Sequence, residues 1–395
     1  MNTSTINSTS LSYNKLFSCT LMVAGTTIGA GMLGMPLITS KAGFLPAVGV
    51  TFAVWAFMLI TGLLLLQVCI QLPGMNNILS ISQYFWGKTG KKGIGGLFAF
   101  LYYCLLVAYF AAGAMLISTF CSCSFYTSLL IFTVFFGTIV FLGPKWIDRV
   151  NSSFTILMFI AYGLLVTLGS YAVDPKCLFN TTSTSALLAT PVLFSAFGFH
   201  NIIPSLVNYT GGQKNVLKWS IILGTTIALV IFLVWQWLII GAIPKEILLE
   251  TLNDGLPVTQ ALQAVTGSPH LFYIGQFFAF FALTTSLLGV CFSMIDFLSG
   301  VFTSKKVNRF FLTLMTFLPP LGCVLWNPQL FDKALCLAGG VGEAILNGFV
   351  PIAFFLILQK KMNIKMSLMS KVLFFCLLSF CLLVLLIEVK ELCGH

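Results

Sequence analysis

Long apolar runs separated by short polar joints repeat along the whole chain. Eleven runs stand out, at about residues 17–38, 44–70, 94–119, 125–143, 152–172, 186–208, 219–241, 271–297, 309–326, 335–358 and 371–390. Each approaches or exceeds the roughly 20 residues that a helix needs to cross a bilayer core. The pattern predicts an all-α membrane protein of about eleven transmembrane helices, with one transport-sized domain filling residues 1–395. Residues 1–16 form a Ser/Thr/Asn-rich leader, and the run after it is too long and too closely followed by another to read as a cleaved signal. The segment Ile78–Lys92 mixes Tyr84, Phe85 and Trp86 with three lysines and is expected to lie along the membrane surface. A short cap helix is expected within Ala242–Ser268.

Composition agrees with lipid as the solvent. Hydrophobic residues make up 58% of the chain and charged ones 8%, which excludes a water-soluble domain of this length. The net charge of +10 therefore bears on orientation and not on nucleic acid, which is not an expected partner. With a cytoplasmic N-terminus, the inside joints hold Lys15, Lys88, Lys91, Lys92, Lys145, Arg149, Lys214, Lys218, Lys305, Lys306, Arg309, Lys360, Lys361, Lys365 and Lys371. The outside joints hold Lys41, Lys176, Lys245, Lys333 and Lys390. That positive-inside bias supports an odd number of spans with an external C-terminus. Asp174, Glu246, Glu250, Asp254, Asp332, Glu388 and Glu391 all fall on the outer side in this reading. The twelve cysteines are scattered, and Cys121 and Cys123 form a lone C-x-C, so no disulfide, metal or cofactor is expected.

Two runs contradict their own helices. Span 1 contains Gly25, Gly29, Gly31, Gly34 and Pro36; span 6 contains Phe197-Gly198-Phe199-His200-Asn201 and Pro204. Glycine costs about 1 kcal/mol in a helix interior and proline about 3. Lipid offers no replacement hydrogen bonds, so such breaks persist only inside protein or beside a wet cavity. Close packing through small residues explains span 1 alone equally well. The matching break in span 6 favours a carrier of two inverted halves, residues 17–172 and 186–358, with an eleventh helix at 371–390. Half-helix ends then offer amides at one pole and carbonyls at the other. A zwitterion fits between them: the carboxylate at Gly29, Ala30, Gly31 and Met32 with Thr26 and Thr27 nearby, and the ammonium at Phe194, Ser195, Phe197 and Gly198.

The Gly25–Pro36 run resembles the signature of the bacterial hydroxy and aromatic amino-acid permease family. Phe197-Gly198-Phe199-His200-Asn201 with Pro204, and Ser286–Val290 running on to Asp296-Phe297, resemble two further motifs of that family. The resemblance spans nearly the whole chain. It implies a LeuT-like 5+5 inverted repeat and import of an aromatic amino acid, tyrosine foremost, with a proton across the cell inner membrane. Tryptophan or serine/threonine as substrate, and sodium as coupling ion, stay open.

Individual side chains carry competing readings. Glu343, in the glycine-rich middle of span 10, is either the proton carrier or a structural acid bonded to a neighbour. His200 is either a proton relay, a substrate contact or a neutral cap of the broken helix. Tyr102 and Tyr109 share a helix face and either line a substrate pocket or pack helices. Thr284, Thr285 and Ser286 either face span 1 as a cation site or bond back to the preceding turn. Asp296 is either a gate or a surface ion pair with Lys305 and Lys306. An enzyme would need clustered catalytic groups, and the chain has no H-E-x-x-H and no G-x-S-x-G.

Overall fold

The computed structural model describes residues 13–75, 77–179, 183–254, 258–301 and 308–393. Its helices are α1 (Tyr13–Thr27), α2 (Gly31–Thr39), α3 (Phe44–Gln71), α4 (Ile78–Cys121), α5 (Phe125–Leu142), α6 (Pro144–Gly169), α7 (Pro175–Phe179), α8 (Thr190–Ala196), α9 (Ile203–Thr210), α10 (Lys214–Ala242), α11 (Lys245–Asn253), α12 (Val258–Thr266), α13 (Pro269–Val301), α14 (Arg309–Trp326), α15 (Phe331–Leu337), α16 (Val350–Lys361) and α17 (Leu368–Cys393). A π-helical stretch, Ala338–Phe349, joins α15 to α16. Among the described residues, ten helical stretches are long and apolar enough to span a bilayer, and α1 with α2 supplies an eleventh, bent by 56°. The eleven runs of the sequence are these eleven spans.

Local chemistry sets the boundaries. Asn77 opens α4 with a reciprocal capping box: its Oδ1 accepts from the Ser80 amide at 2.8 Å, and Ser80 Oγ accepts from the Asn77 amide at 3.3 Å. Ser124 caps α5 and Asn308 caps α14 with their side-chain oxygens, accepting from the amides of Thr127 and Phe310. Gly143, at φ 116°, turns the chain into Pro144, whose missing amide costs nothing in a first helical turn. Within α4, Gly87 at φ 68° breaks the helix inside the surface segment. The joint expected to hold one cap helix holds two, α11 and α12.

In span 1 the break is narrower than the Gly25–Pro36 run: α1 and α2 part only at residues 28–30, around Gly29, and Pro36 lies inside α2. In span 6, α8 stops at Ala196, residues 197–199 run without helical form, and a 3-10 turn at His200–Ile202 leads into α9. The two broken spans touch. A β-carbon on Gly31 would sit 2.7 Å from Ala196 Cα, so only glycine lets α2 approach α8 this closely. Glycines serve the π-helical stretch likewise: Gly339 lies against the Pro191 carbonyl, Gly342 against Leu101 and Gly348 against Cys381. Gly340 lies against Glu388, an acid assigned to the outer side that is 3% exposed inside α17. The fold thus clamps α8 between α2 and the π-helical stretch.

Candidate functional site

At the start of α2 the broken backbone is partly occupied. The Ala30 amide donates to Ser286 Oγ at 3.1 Å. The Met32 amide donates to the Gly29 carbonyl at 3.1 Å, and Trp235 Nε1 donates to the Met32 carbonyl at 2.9 Å. Ser286 therefore caps the positive pole of α2 from a helix distant in sequence. It also donates back to Ala282 at 3.2 Å, whereas Thr284 and Thr285 bond only to carbonyls of their own helix, at 2.7 and 2.9 Å from Phe280 and Phe281. Thr27 is buried and Thr26 exposed, and each hydroxyl returns to the carbonyl four residues earlier. The residues of the amide pole, Gly29, Ala30, Gly31 and Met32, are all buried.

The other pole is the C-terminal end of α8. Phe194 and Phe197 are fully buried, and Ser195 Oγ is buried without a hydrogen-bond partner. Gly198 lies in the middle of the non-helical stretch, and the Glu343 carboxyl is packed against it; a β-carbon there would lie 2.6 Å from Oε1. Asn347, one turn along, donates its amide to Glu343 Oε2. The acid thus faces the carbonyl end of a half-helix, and its hydrogen-bond partner among the described residues is a neutral amide. An ionised carboxylate in that setting requires a cation beside it.

Tyr102 and Tyr109 are both buried on one face of α4, near Glu343. Asn201 Nδ2 donates to the Tyr102 hydroxyl at 3.2 Å, and Ser293 lies beside the same hydroxyl. The Tyr109 hydroxyl lies beside Ser286. One tyrosine is therefore tied to the break in span 6 and the other to the cap of span 1.

His200 points elsewhere. Its Nε2 pairs with Thr61 Oγ1 of α3 at 2.9 Å, its Nδ1 is buried without a partner, and the Phe199 ring covers it at 4.7 Å. The ring braces the break against α3, where it also lies near Gly62. Asp296 is exposed at the end of α13, where its carboxylate senses Arg309; the neighbouring lysines Lys305 and Lys306 lie outside the described residues.

The sequence reading did not single out Ser293, Asn347, Thr61, Trp235 or Gln236. Gln236 is wholly buried and donates to Thr51 Oγ1 at 2.9 Å and Met35 Sδ at 2.8 Å, fastening α10 to α2 and α3. A polar residue inside an apolar run was the available signal, as at Asn347. A cavity of about 60 Å³ opens between α2, α4, α12 and α15, walled by Leu33, Leu37, Met115 and Phe331, with Asp332 on its rim.

Residues 12–390 match the tryptophan/tyrosine permease family. The chain is 32% identical to tyrosine-specific transport system 1 of Haemophilus influenzae, with 82% of this chain and 84% of the relative covered. It is 30% identical to the tryptophan-specific transport protein of the same organism, with 84% of each covered. Among solved structures it superposes on MhsT in complex with L-phenylalanine at a TM-score of 0.64, over 95% of this chain and 98% of that one, with 13% identity. The shared fold is the LeuT fold with its broken first and sixth spans.

Proposed function

This chain belongs to the tryptophan/tyrosine permease family, and from that premise we propose that it imports tyrosine together with a proton across the cell inner membrane. It is a multi-pass membrane transporter and not an enzyme. The N-terminus is cytoplasmic and the C-terminus periplasmic in this reading, following the lysine distribution. Residues 17–172 and 186–358 act as the two inverted halves, and 371–390 is an added helix.

The observation that carries the reading is the placement of Glu343 against Gly198. The substrate carboxylate takes the amide pole at Gly29–Met32, displacing or joining the Ser286 hydroxyl. The ammonium takes the carbonyls of Phe194 to Gly198 and the hydroxyl of Ser195. Glu343 carries the proton on its carboxyl while the site lacks a cation. Releasing that proton inward changes the charge beside the α8 pole, and so couples proton flow to substrate binding. Tyr102 and Tyr109 border the space for an aromatic side chain.

Relatives named for tyrosine and for tryptophan transport both support an aromatic substrate, and the two at 32% identity are named for tyrosine. Uptake of labelled tyrosine into cells lacking their own carriers tests it, with unlabelled amino acids as competitors. A protonophore should collapse accumulation, and sodium removal should leave it intact. Entry of tryptophan with no competition by tyrosine would reverse the substrate assignment.

A further inference from the structure

The surface segment of α4 and the joint between α16 and α17 lie far apart in sequence, yet aromatic contacts bring them together. Phe85 stacks on Phe354 at 5.1 Å and Trp86 meets the same ring at 4.9 Å. The Lys361 ammonium sits 4.4 Å above the Tyr84 ring and 5.3 Å from the Phe85 ring. Two lysine groups are thereby joined: Lys88, Lys91 and Lys92 follow Trp86, and Lys360 and Lys365 flank Lys361. All six are exposed.

Neither segment brings its own counter-charge. The chain has no Asp or Glu before Asp148 and none between Glu343 and Glu388. Among the described residues, the acid facing this end of α4 is Asp296 of α13, whose neighbour Phe297 meets Phe98 at 5.7 Å and packs against Gly95, while Glu343 meets α4 farther along, at Tyr102 and Tyr109. Gly95 stands four positions beyond Lys91 and seven beyond Lys88, about 6 and 10 Å along the helix, and the Asp296 carboxylate is turned to Arg309. Around the lysines lie apolar side chains with no protein cover: Met362 is 50% exposed, Leu368 79% and Met369 83%. Lysine heads over aromatic rings, next to bare apolar chains at the end of a span, match a phosphate headgroup with acyl chains beneath it.

We propose that this patch binds an anionic phospholipid, its phosphodiester on Lys361 with Lys88 and Lys91 and its acyl chains along Trp86, Met362 and Leu368. The ring beneath Lys361 holds that ammonium in place, which separates a built site from a diffuse positive surface. The bound lipid clamps the surface segment of α4 to the end of α16, and so steadies the helix that continues into the glycine-rich π-helical stretch.

The test uses the full chain in nanodiscs of phosphatidylcholine with or without phosphatidylglycerol, reading thermal stability, and native mass spectrometry to count retained lipid. Phosphatidylglycerol should raise the melting temperature and be retained in preference to phosphatidylcholine. Replacing Lys88, Lys91 and Lys361 together by Gln should cut retention several-fold and remove most of the gain. Tyr84→Ala, which keeps every charge, should weaken retention too, and Lys176→Gln on another joint should not. Inorganic phosphate should fail to displace the lipid. Equal retention in the triple variant, no effect of Tyr84→Ala, or displacement by free phosphate would each overturn the assignment.

Discussion

The Ser286 hydroxyl caps the Ala30 amide at 3.1 Å, so one side chain of α13 occupies the pole of α2 that a substrate carboxylate would use. A cap and a ligand that share one donor compete, and that sets the first prediction. In Ser286→Ala the Ala30 amide loses its partner in the empty carrier and regains one on binding. Leaving a buried donor unpaired costs about 1–3 kcal/mol. The empty variant should melt at a lower temperature than wild type, and added substrate should raise its melting temperature by more. Thermal-shift curves with and without tyrosine check this; an unchanged ligand shift would remove Ser286 from the carboxylate site.

Glu343→Gln keeps the shape of the carboxyl and its contact with Gly198 but cannot carry a proton. Gradient-driven accumulation should be abolished while exchange of internal for external substrate survives. Parallel uptake and counterflow in proteoliposomes give the answer, and undiminished accumulation would exclude this acid from coupling.

Gly31 and Gly289 look alike in sequence and differ in space. A β-carbon on Gly31 meets Ala196 Cα at 2.7 Å, and one on Gly289 meets nothing within 4 Å. Gly31→Ala should push α2 off α8 at a cost of about 1–3 kcal/mol and strongly reduce uptake. Gly289→Ala should be neutral or stabilise by up to about 1 kcal/mol, because alanine is the better helix former. Melting temperatures of the two variants decide whether the contact or the residue type matters.

Thr61→Val removes the partner of His200 Nε2 while keeping the side-chain volume. If His200 braces the break, the variant should lose about 1–3 kcal/mol of stability and some maximal rate, with the pH profile of uptake unchanged. A shifted pH profile would instead place this histidine in proton transfer.

The residue pattern determined the eleven spans, their approximate ends and the two breaks, because lipid punishes unpaired backbone so heavily that glycine and proline at mid-span carry meaning on their own. Helical period likewise placed Tyr102 and Tyr109 on one face of α4. Which faces meet is a property of packing, and only the tertiary structure decided it. His200 and Gly198 are two residues apart, yet one turns to Thr61 and the other to Glu343, since the non-helical stretch between α8 and α9 has no period to extrapolate. Ser286 and its neighbours Thr284 and Thr285 are the same kind of residue, and contact with Ala30 and Tyr109 sets Ser286 apart. Glu388 reads as an outer-loop acid until Gly340 is seen to make room for it inside the bundle. Composition reports what a residue costs in lipid; the neighbour that offsets that cost comes from a distant part of the chain.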